Sequence, residues 1–553
     1  MKILALSLVA FAVLPVAGQM PMGPMDHSAS PAANERLGTV NFSVSCAPAE
    51  QASFNRGVAL LHDFWYEEAG PQFAAIVKAD PQCAMAHWGL AMSGFHQIWD
   101  RPNEETRARG WAEMQKAQAL GAKTPREGAY IAALSDFYRP AKAEFPERVA
   151  AYSSAMAKLY AAYPGDVDAG AFYALSLLSA TAPNDTTLAN NRKAMAVLTP
   201  LLVRYPDNPG LVHYIIHACD NPSMASQGLA AADHYGEIAP SGPHAFHMPG
   251  HIYARLGLWP QDIASQIGSI AASQSAESHG ESGIMDEPHS YDFLLYAYLQ
   301  SGQDAKAHAL LDQSSAALTR IESMPGMGAG YMAGMVPYYR SKLPIFYALE
   351  MQDWKTAGAL EPPAGAAPNV ATMTAWARAI AHGHLRQSEA ARADLDRYRA
   401  LVDAIRKGKN AYLADGTGIK IQQEEIVAWV DVAEGKQAGA LEHMRAAADL
   451  QDKVGQNEVD IPAREMLGDM LLESHQPREA LAEYEKALKL SPNRFNGLYH
   501  AGMAAEEAGD KAAAQQFYAT LLKDTENGSQ SERPELAHAR SYASSGQVAA
   551  TGR

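Results

Sequence analysis

The chain has 553 residues, of which 48% are hydrophobic and 19% charged, and its formal net charge is −16. That apolar content excludes global disorder, and the length exceeds what one core supports, so several units or an extended array are expected. A surface of this sign repels a phosphate backbone, so no nucleic-acid partner is expected.

In chain order, the first element is a secretory signal. Lys2 supplies the positive start, Ile3 to Val16 the apolar run, and Val16-Ala17-Gly18 small residues for cleavage. The run is too short to span a bilayer, and no Cys follows it to carry a lipid. No later stretch is long and apolar enough for a transmembrane segment, so a periplasmic or secreted location is expected. Residues 1–18 read as the signal and 19–45 as a flexible leader. Within the leader, Met20-Pro21-Met22-Gly23-Pro24-Met25-Asp26-His27 is similar to the Met- and His-rich segments of periplasmic copper-handling proteins, thioether sulfur being a ligand for Cu(I). The alternative is a plain lead into the first helix.

Abundant Ala and scarce β-branched runs favour helix over sheet. Counting from Glu50, Gly57, Ala69, Phe73 and Pro81 fall at positions 8, 20, 24 and 32. Counting from Ile461, Gly468, Ala480, Tyr484, Ala487 and Pro492 fall at positions 8, 20, 24, 27 and 32, and from Phe495 the pattern recurs at Gly502, Ala514 and Tyr518. These are the offsets of a 34-residue helix-hairpin repeat: small residues where two helices cross, proline where the second helix ends. Further units begin at Pro209, Pro243 and Pro288; between Trp111 and Tyr205 the register slips. The array resembles tetratricopeptide-repeat proteins, and the expected fold is all-α, a tetratricopeptide-type helical-hairpin solenoid.

Met324 to Pro337, rich in Gly and Met, and Glu361 to Pro368, rich in Pro and Ala, read as breaks. They divide the chain into an N-terminal array (46–322), loops with a connecting helix (323–370) and a C-terminal array (371–523), followed by a polar tail (524–553) expected to be disordered. The three cysteines are Cys46, Cys83 and Cys219. Export permits a disulfide, and Cys46 and Cys83 flank one repeat length, so they are paired here; three buried free thiols are the alternative.

Histidine placement carries the functional signal. Eight of the nineteen histidines lie between His213 and His289. His213 and His217 form an H-x3-H pair, as do His247 and His251, and the pairs are 34 residues apart, member for member. Residues four apart share a helix face, and equivalent positions of stacked repeats lie side by side. In the repeat register His213 and His247 occupy position 5, His217 and His251 position 9, His244 and His289 position 2, and Asp292 position 5. Likeness to tetratricopeptide proteins implies that these positions face the concave groove. The expectation is one cluster in that groove, with Asp292 as a carboxylate ligand or orienter, suited to Zn²⁺, Cu²⁺, Ni²⁺ or Fe²⁺. For any single histidine the alternative is packing or groove polarity, and His62, His87 and His96 are assigned to it. Pro249 is expected just inside its helix start, which would put His247 at the cap.

The segments Leu211-Val-His-Tyr-Ile-Ile-His217, His244-Ala-Phe-His-Met-Pro-Gly-His-Ile252 and His289-Ser-Tyr-Asp-Phe293, with Phe54-Asn-Arg-Gly57 and Cys83-Ala-Met-Ala-His-Trp-Gly89, resemble a family of exported bacterial repeat proteins. That resemblance implies the fold and export and no particular reaction. HExxH, GxSxG, Walker and GxGxxG signatures are absent. The expected function is therefore an exported repeat protein binding a divalent transition metal (Cu, Zn or Fe) in a histidine-rich groove, with a protein or peptide partner. The alternatives are a metal-free protein- or peptide-binding scaffold and a metal-dependent enzyme.

Overall fold

The computed structural model describes residues 35–551 apart from 99–100, 183–184, 283–285, 325–328, 409–410, 456–458 and 529–530. The signal and the Met20–His27 segment lie outside the described residues. Among those described there are 25 α-helices and no strand. They pair as antiparallel hairpins: Gln51–His62 with Tyr66–Ala79, Pro209–Cys219 with Ala225–Ile238, Pro243–Leu256 with Trp259–Ser278, Glu287–Gln300 with Asp304–Glu322. The C-terminal array continues through Ala463–Glu473 with Pro477–Leu490 and Phe495–Glu507 with Lys511–Asp524. The chain is a tetratricopeptide-type helical solenoid.

The repeat pattern has a steric cause. A Cβ on Gly57 would lie 2.7 Å from the Phe73 ring, on Gly468 2.6 Å from Tyr484, and on Gly502 2.5 Å from Tyr518. Glycine at position 8 thus admits the aromatic ring of position 24, which closes these three hairpins at native packing density.

Three expectations are corrected. Residues 35–45 are not a flexible lead: Leu37, Val40 and Phe42 are buried, with Phe42 against Phe54, Trp88 and Tyr130. The expected break at Met324–Pro337 is helical from Ala329 onward, the connecting helix running Ala329–Glu350 with Pro337 and Pro344 inside it. Val336, Tyr339 and Leu343 of that helix are buried in one cluster, and this apolar face outweighs the helix-breaking composition. The polar tail contains a helix, Pro534–Thr551, whose Leu536 and Ala539 are buried against the last hairpin as a terminal cap.

The C-terminal array folds back on the N-terminal one through the Pro492–Asn496 turn. Trp259 Nε1 donates to the Asn493 carbonyl at 2.8 Å, and Phe495 N donates to Gln300 Oε1 at 2.8 Å. Arg494 is buried there, donating to both Glu465 oxygens at 2.9 Å, to Glu350 Oε1 at 2.9 Å and to the Tyr296 hydroxyl.

Cys46 and Cys83 form a disulfide, with Cα atoms 4.7 Å apart, and Cys219 is free and buried. Counting thiols in unfolded, unreduced protein should find one. Reduction should cost about 3–4 kcal/mol of stability; three free thiols would refute the pairing.

His384 lies between the rings of Trp354 and Trp429, each centroid 3.8 Å away. Burial, against the opposing pull of Asp469, pushes its imidazole down to about 3. Below pH ~6.5 the unfolded chain binds a proton here that the folded chain refuses, so stability falls as pH drops from ~6.5 towards 3. His384→Phe keeps a ring in the sandwich without the proton. Its urea midpoint should drop less between pH 7.5 and 5 than that of the native chain; equal drops would refute the assignment.

Candidate metal centre

Local sequence sets the helices that carry the histidines. Asn208 caps the Pro209–Cys219 helix by accepting from Leu211 N at 3.2 Å, with Pro209 at the first turn, where its missing N–H costs nothing. The next first helix is Pro243–Leu256, started by Pro243 and closed by Gly257 at φ 65°. Pro249 is therefore in the helix interior and His247 is not at a cap, contrary to the expectation. The i,i+4 relation of His247 and His251 holds on one face, and their Nε2 atoms are 3.0 Å apart.

The structure does not make one cluster of the histidines. It makes two triads, His213/His217/His244 and His247/His251/His289, each with one ligand nitrogen per ring within 4.8 Å of the others. His244 and His247, with ring centroids 6.0 Å apart, join the two sets. The two equivalent pairs fall in different groups. Each pair instead meets the position-2 imidazole of the following repeat. Nor is the setting an open groove. His213 and His247 are 0% exposed and His244 4%, with the Phe64 ring packed over His213, His217 and His244. Phe293 packs in the same way against His247, His251 and His289.

Hydrogen bonds fix the tautomers. His213 Nδ1 donates to the His62 carbonyl at 2.6 Å and His244 Nδ1 to Asp286 Oδ1 at 2.7 Å. His251 Nδ1 donates to Asp220 Oδ2 at 3.1 Å, and His247 Nδ1 to Gln266 Oε1 at 2.8 Å. Gln266 Nε2 donates to Asp262 Oδ1 at 2.9 Å, which turns its oxygen toward His247. With Nδ1–H committed, the neutral ring keeps its lone pair on Nε2, the form that ligates metals. The buried Nε2 of His213 has no hydrogen-bond partner among the described residues. Burial, reinforced by the His217 and His244 rings, holds His213 well below the usual imidazole range, so it is neutral at physiological pH.

Asp292 belongs to neither triad. It forms a buried ion pair with Lys342, whose ammonium is held above its ordinary range because Asp292, helped by Tyr338 and Asp460, outweighs the cost of burial. His62 is placed by Asp168 at 3.0 Å and Tyr214 at 2.9 Å, and His87 by Glu113 at 2.6 Å, the structural roles assigned to them. His96 stacks on Tyr66.

The orienting groups Asp220, Asp286 and Gln266 and the covering Phe64 were not foreseen. Asp220, Asp286 and Phe64 share no repeat period, so nothing local marks them, whereas Gln266 stands at position 24 of the unit that starts at Pro243. Gly250 carried a usable signal, a glycine inside a helix between two histidines. A Cβ there would lie 1.9 Å from Gln266 Nε2 and 2.6 Å from Asp262 Oδ1. Gly250→Ala should displace Gln266 from His247 and, if a metal binds, weaken it by about 10–100-fold, as loss of an outer-shell partner does. Titration with Zn²⁺ would measure this; unchanged affinity would remove Gln266 from the site.

No protein-family model matches the chain, and no curated protein matches it. Among solved structures the human IFIT1 dimer with PPP-AAAA is similar, with 11% identity and a TM-score of 0.35 over 80% of this chain and 90% of that one. The P58(IPK) TPR domain shares 15% identity, with a TM-score of 0.22 over 69% of this chain and 99% of that one. The Naa15/Naa10 structure bound to HypK-THB shares 11%, with a TM-score of 0.24 over 90% and 92%.

Proposed function

We propose that this chain is an exported helical-repeat protein that binds a divalent transition metal through its buried histidines. One observation carries the reading: Nε2 of His247 and Nε2 of His251 face each other at 3.0 Å while both Nδ1 atoms donate elsewhere. Two lone pairs at that distance repel unless a proton or a cation lies between them. Two imidazoles on one tetrahedral ion, bound at ~2.0–2.1 Å, hold their nitrogens roughly 3.4 Å apart, close to what is found. Imidazole donors suit Zn²⁺, Cu²⁺, Ni²⁺ and Fe²⁺.

The export part of the reading rests on the N-terminal segment of the sequence. Among the described residues no helix is long and apolar enough to cross a membrane. A partner lying in the groove would not touch His213 or His247, both fully buried, so the metal reading is favoured over one in which these histidines contact a partner.

The test is elemental analysis of protein purified without an affinity tag, followed by thermal unfolding with and without added Zn²⁺ or Cu²⁺. Metal at about 100 times its Kd should stabilise by about 2.7 kcal/mol. No bound metal and no shift with Zn²⁺, Cu²⁺, Ni²⁺ or Fe²⁺ would mean that a proton, not a metal, lies between the rings.

A further inference from the structure

We infer that the chain takes two transition-metal cations in separate sites generated by the repeat itself, one held by His213, His217 and His244 and one by His247, His251 and His289. This rests on the metal reading above and goes beyond it in number, place and rule of construction. In each site, positions 5 and 9 of one repeat supply an i,i+4 pair, and position 2 of the next repeat supplies the third imidazole. The geometry repeats along with the register. Within the first triad the ring centroids of His213 lie 4.6 Å from His217 and 4.9 Å from His244. Within the second, those of His247 lie 4.9 Å from His251 and 4.2 Å from His289. Across the boundary His244 and His247 are 6.0 Å apart, comparable with the 6.2 Å between His217 and His244 inside the first triad, so the division rests on the ligand nitrogens, which come within 4.8 Å of one another inside each triad.

The next unit shows what the rule needs. Counting from Pro288, positions 5 and 9 are Asp292 and Tyr296, and no histidine pair is present. Here the protein brings its own cations: the Lys342 ammonium pairs with Asp292, and the Arg494 guanidinium donates to the Tyr296 hydroxyl. The same register positions therefore hold a side-chain cation in the third unit. In the first two units imidazoles stand there, and the acceptors behind them are the His62 carbonyl, the Gln266 amide oxygen and the Asp220 carboxylate.

Three protein ligands leave a fourth position on a tetrahedral ion. Beside the first triad lies a cavity of about 10 Å³, walled by Asp63, Phe64, Glu67, His244 and Asp286. That is close to the least volume that holds one water. Asp63 is fully buried, and its Oδ2 has no hydrogen-bond partner among the described residues. The first site thus has room for a bound water beside it.

The experiment is titration of the metal-free, full-length protein with Cu²⁺ alone and with Zn²⁺ alone. Stoichiometry is read by calorimetry and elemental analysis, and proximity by the electron paramagnetic resonance of the copper form. Two equivalents are expected, with dipolar broadening between the coppers. His213→Ala with His217→Ala should leave one equivalent, unbroadened, and His247→Ala with His251→Ala likewise. One equivalent in the native chain would overturn the two-site inference while the metal reading stands. No binding would overturn both. Loss of both equivalents in either folded variant would show a single shared cluster and overturn separate sites. The native stoichiometry and broadening decide the question even if a variant fails to fold.

Discussion

Arg494→Ala is expected to cost about 3–5 kcal/mol, the largest loss foreseen for a single substitution in this chain. The guanidinium is 1% exposed and pairs with two carboxylates also removed from water, Glu350 and Glu465. Both Glu465 contacts are 2.9 Å, so the pair is bidentate, the strong geometry for this side chain. Removing it leaves two buried acids with no cation, and one or both must take up a proton or draw in water. The Arg494 side chain also bridges the arrays, through Tyr296 on one side and Glu465 on the other. Denaturant unfolding should therefore show a lower midpoint and a transition broadened toward two steps. Arg494→Met with Glu350→Gln and Glu465→Gln removes the charges together and should recover much of the loss. A single-variant loss below ~1 kcal/mol would show that the network does not hold the arrays together.

That junction was not legible in the sequence, and the reason is general for repeat proteins. Periodicity reports what each repeat does with its neighbour: Gly57, Gly468 and Gly502 announce the aromatic ring of their own hairpin, so the fold could be read. The same phase displayed the H-x3-H pairs, because a helix face and a repeat stack are both local geometry. What breaks the period has no such display. Lys342 comes from 50 residues beyond Asp292 and occupies it, and Asp286 comes from 42 residues beyond His244. The single-cluster expectation failed on one step, that equivalent pairs on adjacent first helices would meet. The pairs fall in different groups, and position 2 of the next repeat completes each set. The Ala329–Glu350 helix was hidden for the opposite reason. Its Gly, Met and Pro content speaks of a break, while Val336, Tyr339 and Leu343 find a core that composition does not reveal.

His217→Ala combined with His251→Ala should abolish stoichiometric metal binding while leaving helicity nearly intact. Each change removes one imidazole from one triad, and two remaining ligands hold a divalent ion far more weakly than three. The structural cost should be modest, because these are the more exposed members of their pairs: His217 is partly exposed and His251 9%, whereas His213 and His247 are sealed. Losing His251 frees Asp220, but Arg255 Nε still donates to Asp220 Oδ1 at 3.1 Å, so that carboxylate is not left uncompensated. It also removes the facing lone pair from His247, which relieves the metal-free protein. Its metal-free form should therefore be destabilised less than a cavity of that size would imply, and the stabilisation given by added Zn²⁺ should vanish. Thermal unfolding of both proteins, with chelator and with Zn²⁺, separates these effects. Undiminished metal content in the double variant would dispose of both triads as ligand sets, and a collapse of helicity without metal would assign His217 and His251 to packing.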